Sequence, residues 1–179
     1  MLKISEVKAT EPESFGNELQ EKVYSFLKEY SVSYERVDTE EAITMEDCAD
    51  INAALNMETV KTLFLCNRQQ TDFYLFITKG DKLFRSKNFS SALGISRVSF
   101  APAELMKKMI GTKVGAATVF GCILDIENRV SVVFDKEILS DEYYGCSDGT
   151  TAGYMKLRTD DILHKLLPYA KHELKVIEV

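Results

Sequence analysis

Two closely spaced apolar runs dominate the hydrophobic pattern of this chain. The segment 60–78 predicts two strands, Thr62–Cys66 and Phe73–Thr78, joined by a polar turn over 67–72. Leucine, phenylalanine and isoleucine crowd both runs with little alternation, which is typical of strands that are covered on both faces. Lys61 stands at the start of the first run. A lysine there is usually a surface side chain whose stem covers apolar neighbours, and the functional alternative is a fixed cation facing a phosphate or an acyl oxygen.

The rest of the pattern predicts further helices and strands around this hairpin. Apolar residues at helical spacing, together with capping signals such as Asn17, Thr44 and Pro102, mark the helices. The predicted helices cover residues 17–30, 45–55, 89–93, 103–110 and 160–169. The other predicted strands cover residues 33–37, 98–100, 122–126, 130–135 and 154–157, and the last residues form a strand or a tail. We expect 122–126 and 130–135 to pair as a hairpin across the turn 127–129.

The order of these elements favours one fold class over another. Helices and strands interleave, but hairpin-like spacing dominates the middle of the chain. The pattern therefore predicts an α/β (α+β) domain with a mixed, mainly antiparallel central sheet surrounded by helices, and not a doubly wound parallel sheet. Polar residues 1–16 are predicted to form an N-terminal arm, and residues 17–179 to form the single domain.

Charge and composition limit the partners. The formal net charge is −6, which argues against indiscriminate nucleic-acid binding, although phosphate contacts depend on where the cations lie. Lys82, Arg85 and Lys87 form the densest basic cluster, which is either solvated surface or a set of phosphate contacts. The N-terminal segment lacks an apolar signal core, and no apolar run reaches membrane-spanning length. We therefore expect a cytoplasmic protein with no membrane contact.

The cysteines and histidines predict neither a metal site nor a cofactor. Cys48, Cys66, Cys122 and Cys146 lie far apart, and both histidines lie near the C-terminus, so the spacing of a zinc site is missing. We expect free thiols in a reducing compartment. Cys48 falls on the apolar face of its predicted helix and is interpreted as a small buried hydrophobe, not as a nucleophile.

Two glycine-containing loops are candidate ligand-binding segments. Gly111–Gly121 places three glycines among small residues but lacks the ending of a phosphate-binding loop. It predicts a close backbone approach, either for packing beneath the sheet or on a pocket wall that presents N–H groups. The second loop, Gly145–Thr151, combines glycines with hydroxyl groups. Cys146 in this loop gives a thiol-enzyme alternative, although no histidine is near it in sequence.

Five segments in a fixed order resemble one protein family. They are VKTLFLCN with FYLFI, SFAPAELM, GTKVGAATVFG, NRVSVVFDKEIL, and YYGCSDGT with MKLRTDDIL. Together they resemble the YbaK-like aminoacyl-tRNA editing superfamily, in particular its prolyl-tRNA-synthetase-associated (ProX/PrdX-like) branch, over about residues 17–168. The resemblance implies a barrel-like central sheet and a free-standing deacylase that hydrolyses mischarged tRNA, typically Ala-tRNA(Pro). It also implies that aminoacyl-tRNA is the ligand, and it makes prolyl-tRNA synthetase a candidate partner.

The resemblance assigns roles to individual residues. Lys61 matches the family lysine that meets the phosphate of the terminal adenosine, and Gly115 begins the stretch whose backbone surrounds the aminoacyl ester. These two and Ser147 are the predicted catalytic residues. The predicted substrate-binding residues lie beside them: Thr62, Ala116, Ala117, Thr118, Phe120, Gly121, Cys146, Asp148 and Thr151. The predicted tRNA contacts are Lys82, Arg85 and Lys87.

The last loop departs from the family pattern. Family members commonly carry a His-Pro pair and an Asn-Thr pair where this chain has Ser147-Asp148 and Thr151-Ala152. Thr62 also stands where asparagine is common. An altered acyl pocket, a different substrate and a loss of activity are three readings of this departure.

The implied chemistry needs few acid–base residues, because an aminoacyl ester is already activated and gains from positioning and oxyanion stabilisation. The hypothesis is that Lys61 anchors the 3′ end and that backbone amides near Gly115–Ala117 hold the carbonyl. Water then attacks, with Ser147 or Asp148 as orienting groups, and the small Ala116 and Ala117 restrict the acyl group to a short side chain. The alternative is a binding or regulatory protein that keeps the pocket without turnover.

Overall fold

The computed structural model describes residues 1–42 and 44–179, in which helices and strands alternate. The helices are α1 (Glu18–Glu29), α2 (Met45–Leu55), α3 (Ser86–Leu93), α4 (Ala103–Ile110), α5 (Lys136–Leu139), α6 (Thr159–Asp161) and α7 (Leu167–Tyr169). The strands are β1 (Tyr34–Asp38), β2 (Lys61–Asn67), β3 (Phe73–Thr78), β4 (Val98–Phe100), β5 (Val130–Asp135), β6 (Tyr143–Ser147), β7 (Gly153–Arg158) and β8 (Lys175–Ile177). A 3₁₀ helix, Val119–Leu124, precedes β5, and a π-helical stretch, Ile162–Leu166, joins α6 to α7.

The strands form two sheets. A three-stranded antiparallel sheet has the order β1-β7-β6, and a five-stranded sheet has the order β4-β2-β3-β5-β8. In the larger sheet β2 pairs antiparallel with β3 and β4, whereas β5 lies parallel to both β3 and β8. The predicted mixed α/β domain is confirmed, but the described strands do not close into a barrel.

The predicted hairpin of 122–126 with 130–135 is wrong. The first of these segments belongs to the 3₁₀ helix Val119–Leu124, and β5 pairs with β3 instead. Gly121 explains the close packing of this helix, because an added Cβ would lie 2.7 Å from the Cβ of Ile110. A short, mainly apolar run is too short for its period to separate a strand from a helix, and the pattern therefore did not distinguish them.

Local capping signals confirm the boundaries of three predicted helices, whereas α3 begins three residues before its predicted start and the predicted helix 160–169 is divided into α6, the π-helical stretch and α7. The side chain of Asn17 accepts a hydrogen bond from the N–H of Gln20 at 2.8 Å and begins α1. Thr44 and Asp47 form the predicted capping box at the start of α2. Gly111 ends α4 with φ of 72°, a left-handed conformation that favours glycine.

The N-terminal residues lie along β1. The backbone of Lys8 exchanges two hydrogen bonds with Arg36, both of 2.8 Å, and Ser5 donates to the carbonyl of Asp38. The partly buried Leu2 and Ile4 pack against an apolar cluster under α2. Every described helix is too short or too polar to span a lipid bilayer.

A buried ion pair attaches the C-terminal segment to the 3₁₀ helix. His172 Nε2 lies 2.8 Å from a carboxylate oxygen of Asp125, and Nδ1 lies 2.6 Å from the carbonyl oxygen of Ala170. Burial alone would lower the pKa of His172, but the hydrogen bonds to Asp125 and to the Ala170 carbonyl, together with the charge of Asp125, outweigh burial and raise the pKa. Burial would likewise raise the pKa of Asp125, but hydrogen bonds from His172 and from backbone amides lower it. Both groups are therefore held in their charged forms.

We expect the substitution His172→Gln to lower the free energy of unfolding by about 3 kcal/mol near pH 6, because it leaves the Asp125 carboxylate buried without its cation. A histidine with a raised pKa adds to the free energy of unfolding. This stabilisation is complete below about pH 6.5 and is lost as the pH rises through the raised pKa. The contribution of Asp125, whose pKa is lowered, is complete above about pH 4 and is lost as the pH falls through the lowered pKa. Urea unfolding should therefore show the largest difference between variant and parent from about pH 4 to pH 6.5. The exposed His164 serves as control in the variant His164→Gln, and a difference that stays constant up to pH 9 would contradict the assignment.

Candidate functional site

A cavity of about 500 Å³ opens where the two sheets approach each other. Its walls come from the first half of β2, the end of β6, the loop 113–117 and the residues before α2. Its lining is mainly apolar, with Phe64 and Met106 on the wall, and its polar side chains include Lys61, Ser147 and Thr151. This combination of apolar walls and a few convergent polar groups is typical of a small-ligand site.

Lys61 is the cation at one side of the cavity. It begins β2 and its side chain is half-buried. Its Nζ donates a hydrogen bond to the backbone carbonyl of Lys82 at 2.5 Å. Within residues 1–42 and 44–179, no carboxylate forms an ion pair with Lys61. Its ammonium is therefore positioned by a neutral acceptor at the edge of the cavity.

Lys113 is a second cation at the cavity, and it was not among the residues predicted from the sequence. Its Nζ lies 2.6 Å from a carboxylate oxygen of Glu41, which also accepts a hydrogen bond from the hydroxyl of Thr151 at 3.1 Å. The hydrogen bonds from Lys113 and Thr151 lower the pKa of Glu41. Lys113 stands inside the glycine-containing loop that the sequence singled out, and its charge was the signal that could have identified it.

The first glycine-containing loop is only partly at the cavity. Gly115 and Ala117 line it, and Gly115 has φ of 91°, a conformation that favours glycine. Four other predicted substrate-binding residues of this loop are buried and do not line the cavity: Ala116, Thr118, Phe120 and Gly121. They support the wall from behind.

The second predicted loop, Gly145–Thr151, supplies another wall, but its first three residues belong to strand β6 and are not loop. The predicted residues Cys146, Ser147 and Thr151 all line the cavity, as does Thr62 from β2. The hydroxyl of Ser147 donates to the carbonyl of Ala116 at 3.2 Å. This bond joins the two loops, so in this structure the Ser147 hydroxyl serves as a structural contact on the cavity wall.

Asp148 lies behind the cavity and is fully buried. Its carboxylate accepts hydrogen bonds from the side chains of Gln20 and Tyr24, both at 2.9 Å, and from the hydroxyl of Thr150 at 2.8 Å. Burial and the adjacent Asp148 carboxylate raise the pKa of Tyr24. An added Cβ at Gly153 would lie 2.2 Å from this carboxylate, so glycine is required there. The structure therefore places Asp148 in a network that fixes α1 against the loop.

The thiol of Cys146 lines the cavity but is only 2% exposed. Burial raises its pKa, with a smaller contribution from the charge of Asp148. Neither His164 nor His172 lines the cavity. A neutral thiol without a base is a poor nucleophile, and this geometry argues against the thiol-enzyme alternative.

The predicted basic cluster is divided by the fold. Lys82 forms ion pairs with Asp135 at 2.8 Å and Glu137 at 3.2 Å, and these contacts raise its pKa. Arg85 and Lys87 are exposed at the start of α3. The described residues contain no cluster of three or more side chains suited to a metal ion.

The family model for the aminoacyl-tRNA editing domain matches residues 39–165, a span that includes the whole cavity. This chain belongs to the aminoacyl-tRNA editing domain family. A curated relative, the prolyl-tRNA editing protein ProX of Acetoanaerobium sticklandii, is 25% identical over 157 residues, which are 88% of this chain and 95% of that protein. The predicted family is thereby confirmed.

Solved structures share the fold of this editing-domain protein. A candidate trans-editing enzyme for prolyl-tRNA synthetase superposes with a TM-score of 0.64 at 15% identity, covering 93% of this chain and 99% of that one. A hypothetical protein superposes with a TM-score of 0.66 at 17% identity, covering 87% and 98%. At these identities the likeness concerns the fold alone.

The exposure of the thiols gives a prediction for this editing-domain chain. We expect Cys146 in the native protein to react with iodoacetamide at least tenfold more slowly than Cys48, because Cys48 is only half-buried whereas Cys146 is buried and neutral. Peptide mass spectrometry after timed labelling measures both rates, and labelling in urea gives the control in which the two thiols react alike. Equal native rates would show that Cys146 is accessible and would restore it as a candidate nucleophile.

Proposed function

We propose that this protein is an aminoacyl-tRNA deacylase that hydrolyses the ester of tRNA(Pro) carrying the wrong amino acid, with Ala-tRNA(Pro) as its main substrate. The observation that carries the proposal is the cavity itself, which places the ammonium of Lys61 at the edge of an apolar pocket walled by Gly115 and Ala117. The family membership supplies the reaction class, and the ProX relative supports the choice of tRNA.

The dimensions and charges of the cavity suit the end of an aminoacyl-tRNA. A volume of about 500 Å³ accommodates a nucleoside with a small acyl group. We place the terminal phosphate at Lys61, since an ammonium group forms a strong charge-assisted hydrogen bond with phosphate oxygens. The acyl group then points towards Ala117 and Cys146, where small side chains leave room for a methyl group.

The proposed chemistry rests on positioning. The described cavity lining has one carboxylate, Glu41, which Lys113 and Thr151 already engage, and it has no histidine. We therefore assign attack to a water molecule assisted by the neighbouring ribose hydroxyl of the substrate. Backbone N–H groups near Gly115 stabilise the developing oxyanion, a contribution that needs no protein base. Ser147 acts as a positioning residue, because its hydrogen bond to Ala116 holds the two loops together.

A second candidate function is a binding or regulatory protein that holds aminoacyl-tRNA without turnover. It is favoured by Ser147, which stands where family members commonly carry histidine and whose hydroxyl is engaged with the protein backbone. The two functions differ in one measurement. A deacylase releases free amino acid over many turnovers, whereas the binding protein protects the ester from spontaneous hydrolysis.

The substrate assignment is tested with tRNA(Pro) charged with alanine, serine, cysteine or proline. We expect hydrolysis of Ala-tRNA(Pro) to be at least tenfold faster, in kcat/KM, than hydrolysis of Pro-tRNA(Pro), because the space that we assign to the acyl group beside Ala117 and Cys146 suits a methyl group better than a pyrrolidine ring. Release of radiolabelled amino acid measures each rate, first with the protein alone and then with added prolyl-tRNA synthetase, the candidate partner. Preferential hydrolysis of Pro-tRNA(Pro) would rule out an editing role.

The role of Lys61 is tested by the substitution Lys61→Ala. We expect a loss of roughly 10- to 100-fold in kcat/KM on the best substrate of the panel, as is typical when a charge-assisted hydrogen bond is removed. Lys61→Arg should retain part of the activity, because it keeps the charge but changes the geometry. The exposed Lys108 at the end of α4 provides the matched control Lys108→Ala, which should stay within twofold of the parent. If Lys61→Ala matched this control, the phosphate assignment would be wrong.

A further inference from the structure

An exposed aromatic ring stands at the rim of the cavity. Phe100 is the last residue of β4 and is 63% exposed, yet it also lines the cavity. Its strand partner in β2 is Leu65, and the next residue, Ala101, donates its N–H to the carbonyl of Phe64 at 2.9 Å. Phe100 therefore lies at the end of β4, beside the opening of the cavity.

The ring of Phe100 is supported by other rings. The centroid of Phe84 lies 5.7 Å from that of Phe100, and Phe84 in turn contacts Phe89 at 6.2 Å and Phe76 at 6.1 Å. Phe76 and Phe89 are buried in the apolar cluster of the larger sheet. A row of rings thus runs from the core to the cavity rim and holds Phe100 in place. Because Phe100 is supported on one side and open on the other, it offers a fixed flat surface.

One cation lines the cavity together with Phe100, and a second lies next to Phe84 in the chain. Lys61 donates its hydrogen bond to the carbonyl of Lys82, which precedes Phe84 by two residues. Arg85, next to Phe84 in the chain, is exposed. Aromatic surfaces bordered by cations are the usual means of holding single-stranded nucleic acid, because bases stack on rings while cations follow the phosphates.

We propose that Phe100, supported by Phe84, forms a stacking platform for a base of the single-stranded 3′ end of tRNA. We place that base just outside the cavity, with the acylated terminal nucleoside inside it. The inference deepens the proposed deacylase function and rests on it. It assigns a base-binding role to residues that lie outside the two glycine-containing loops.

A binding experiment tests the platform apart from catalysis. The probe is the RNA tetranucleotide ACCA without an attached amino acid, at one fixed, moderate salt concentration. Its binding is followed by fluorescence. The chain has no tryptophan, so the variant Phe100→Trp carries a single tryptophan reporter at the rim. Addition of the tetranucleotide should quench that fluorescence. The affinity of the variant for the tetranucleotide should lie within about twofold of the affinity of the parent. A tryptophan signal that the RNA leaves unchanged would overturn the platform.

A matched series separates stacking from simple apolarity. Phe100→Leu keeps an apolar side chain but removes the ring, and it should weaken tetranucleotide binding about tenfold. Phe100→Tyr should bind like the parent. Ile126→Ala removes another exposed apolar side chain that does not line the cavity, and it should have no effect.

Arg85→Ala should weaken binding and lower the slope of log affinity against log salt by about one. Phe100→Leu binding equal to that of the parent would overturn the proposal.

Kinetics distinguish failure of the platform from failure of the proposed function. With the preferred mischarged tRNA, Phe100→Leu should raise KM about tenfold with little change in kcat, because the lost stacking is equally strong in the ground and transition states. If Phe100→Leu leaves KM unchanged while Lys61→Ala still removes activity, the platform is wrong and the deacylase assignment stands. If no charged tRNA is hydrolysed but tetranucleotide binding depends on Phe100, the platform stands and the deacylase assignment fails. If Phe100→Leu alters only the oligomeric state in sedimentation, the ring is a self-association contact and the platform is overturned.

Discussion

The close contact between Val60 and Gly145 determines where this protein can have a site. The N–H of Val60 donates to the carbonyl of Gly145 at 2.9 Å, and this bond links the larger sheet to the smaller one. Glycine is required there, since an added Cβ would lie 2.7 Å from the carbonyl oxygen of Glu58. Directly after this contact, residues 61–62 continue along β2 and residues 146–147 continue along β6. Side chains that are distant in sequence therefore face one cavity.

The sequence predicted local structure better than it predicted which strands pair and which distant side chains make contact. Capping residues and apolar spacing act over a few positions, and α1, α2, α4 and the β2–β3 hairpin were accordingly predicted with small errors at their ends. The parallel position of β5 beside β3 depends on a crossover of about fifty residues, which no local signal encodes. The contact of Lys113 with Glu41 was not predicted for a similar reason, because it joins positions that are 72 residues apart.

The polar residues of the second loop show why candidate chemistry is hard to read from composition. Asp148 and Ser147 looked like groups that could orient water, but both make hydrogen bonds inside the protein. A fully buried carboxylate is tolerated only when its oxygens are satisfied, and Gln20, Tyr24 and Thr150 satisfy them here. The polar side chains of this segment therefore make hydrogen bonds that fix its conformation. The cavity that results is mainly apolar, and its few charged side chains include Lys61, Lys113 and Glu41.

The electrostatics of the rim are more favourable to phosphate than the net charge of −6 implies. Two carboxylates are paired with lysines, Glu41 with Lys113 and Asp135 with Lys82. Lys61 differs from both lysines, because its hydrogen bond goes to a neutral carbonyl. Exchanging that carbonyl for a phosphate oxygen would replace a neutral acceptor with a charged one and would break no ion pair. At Lys82 a phosphate would displace the buried Asp135 carboxylate and at Lys113 it would displace Glu41, whereas at Lys61 it would displace no carboxylate of the described residues. This difference makes Lys61 the cation best suited to exchange its partner for a ligand.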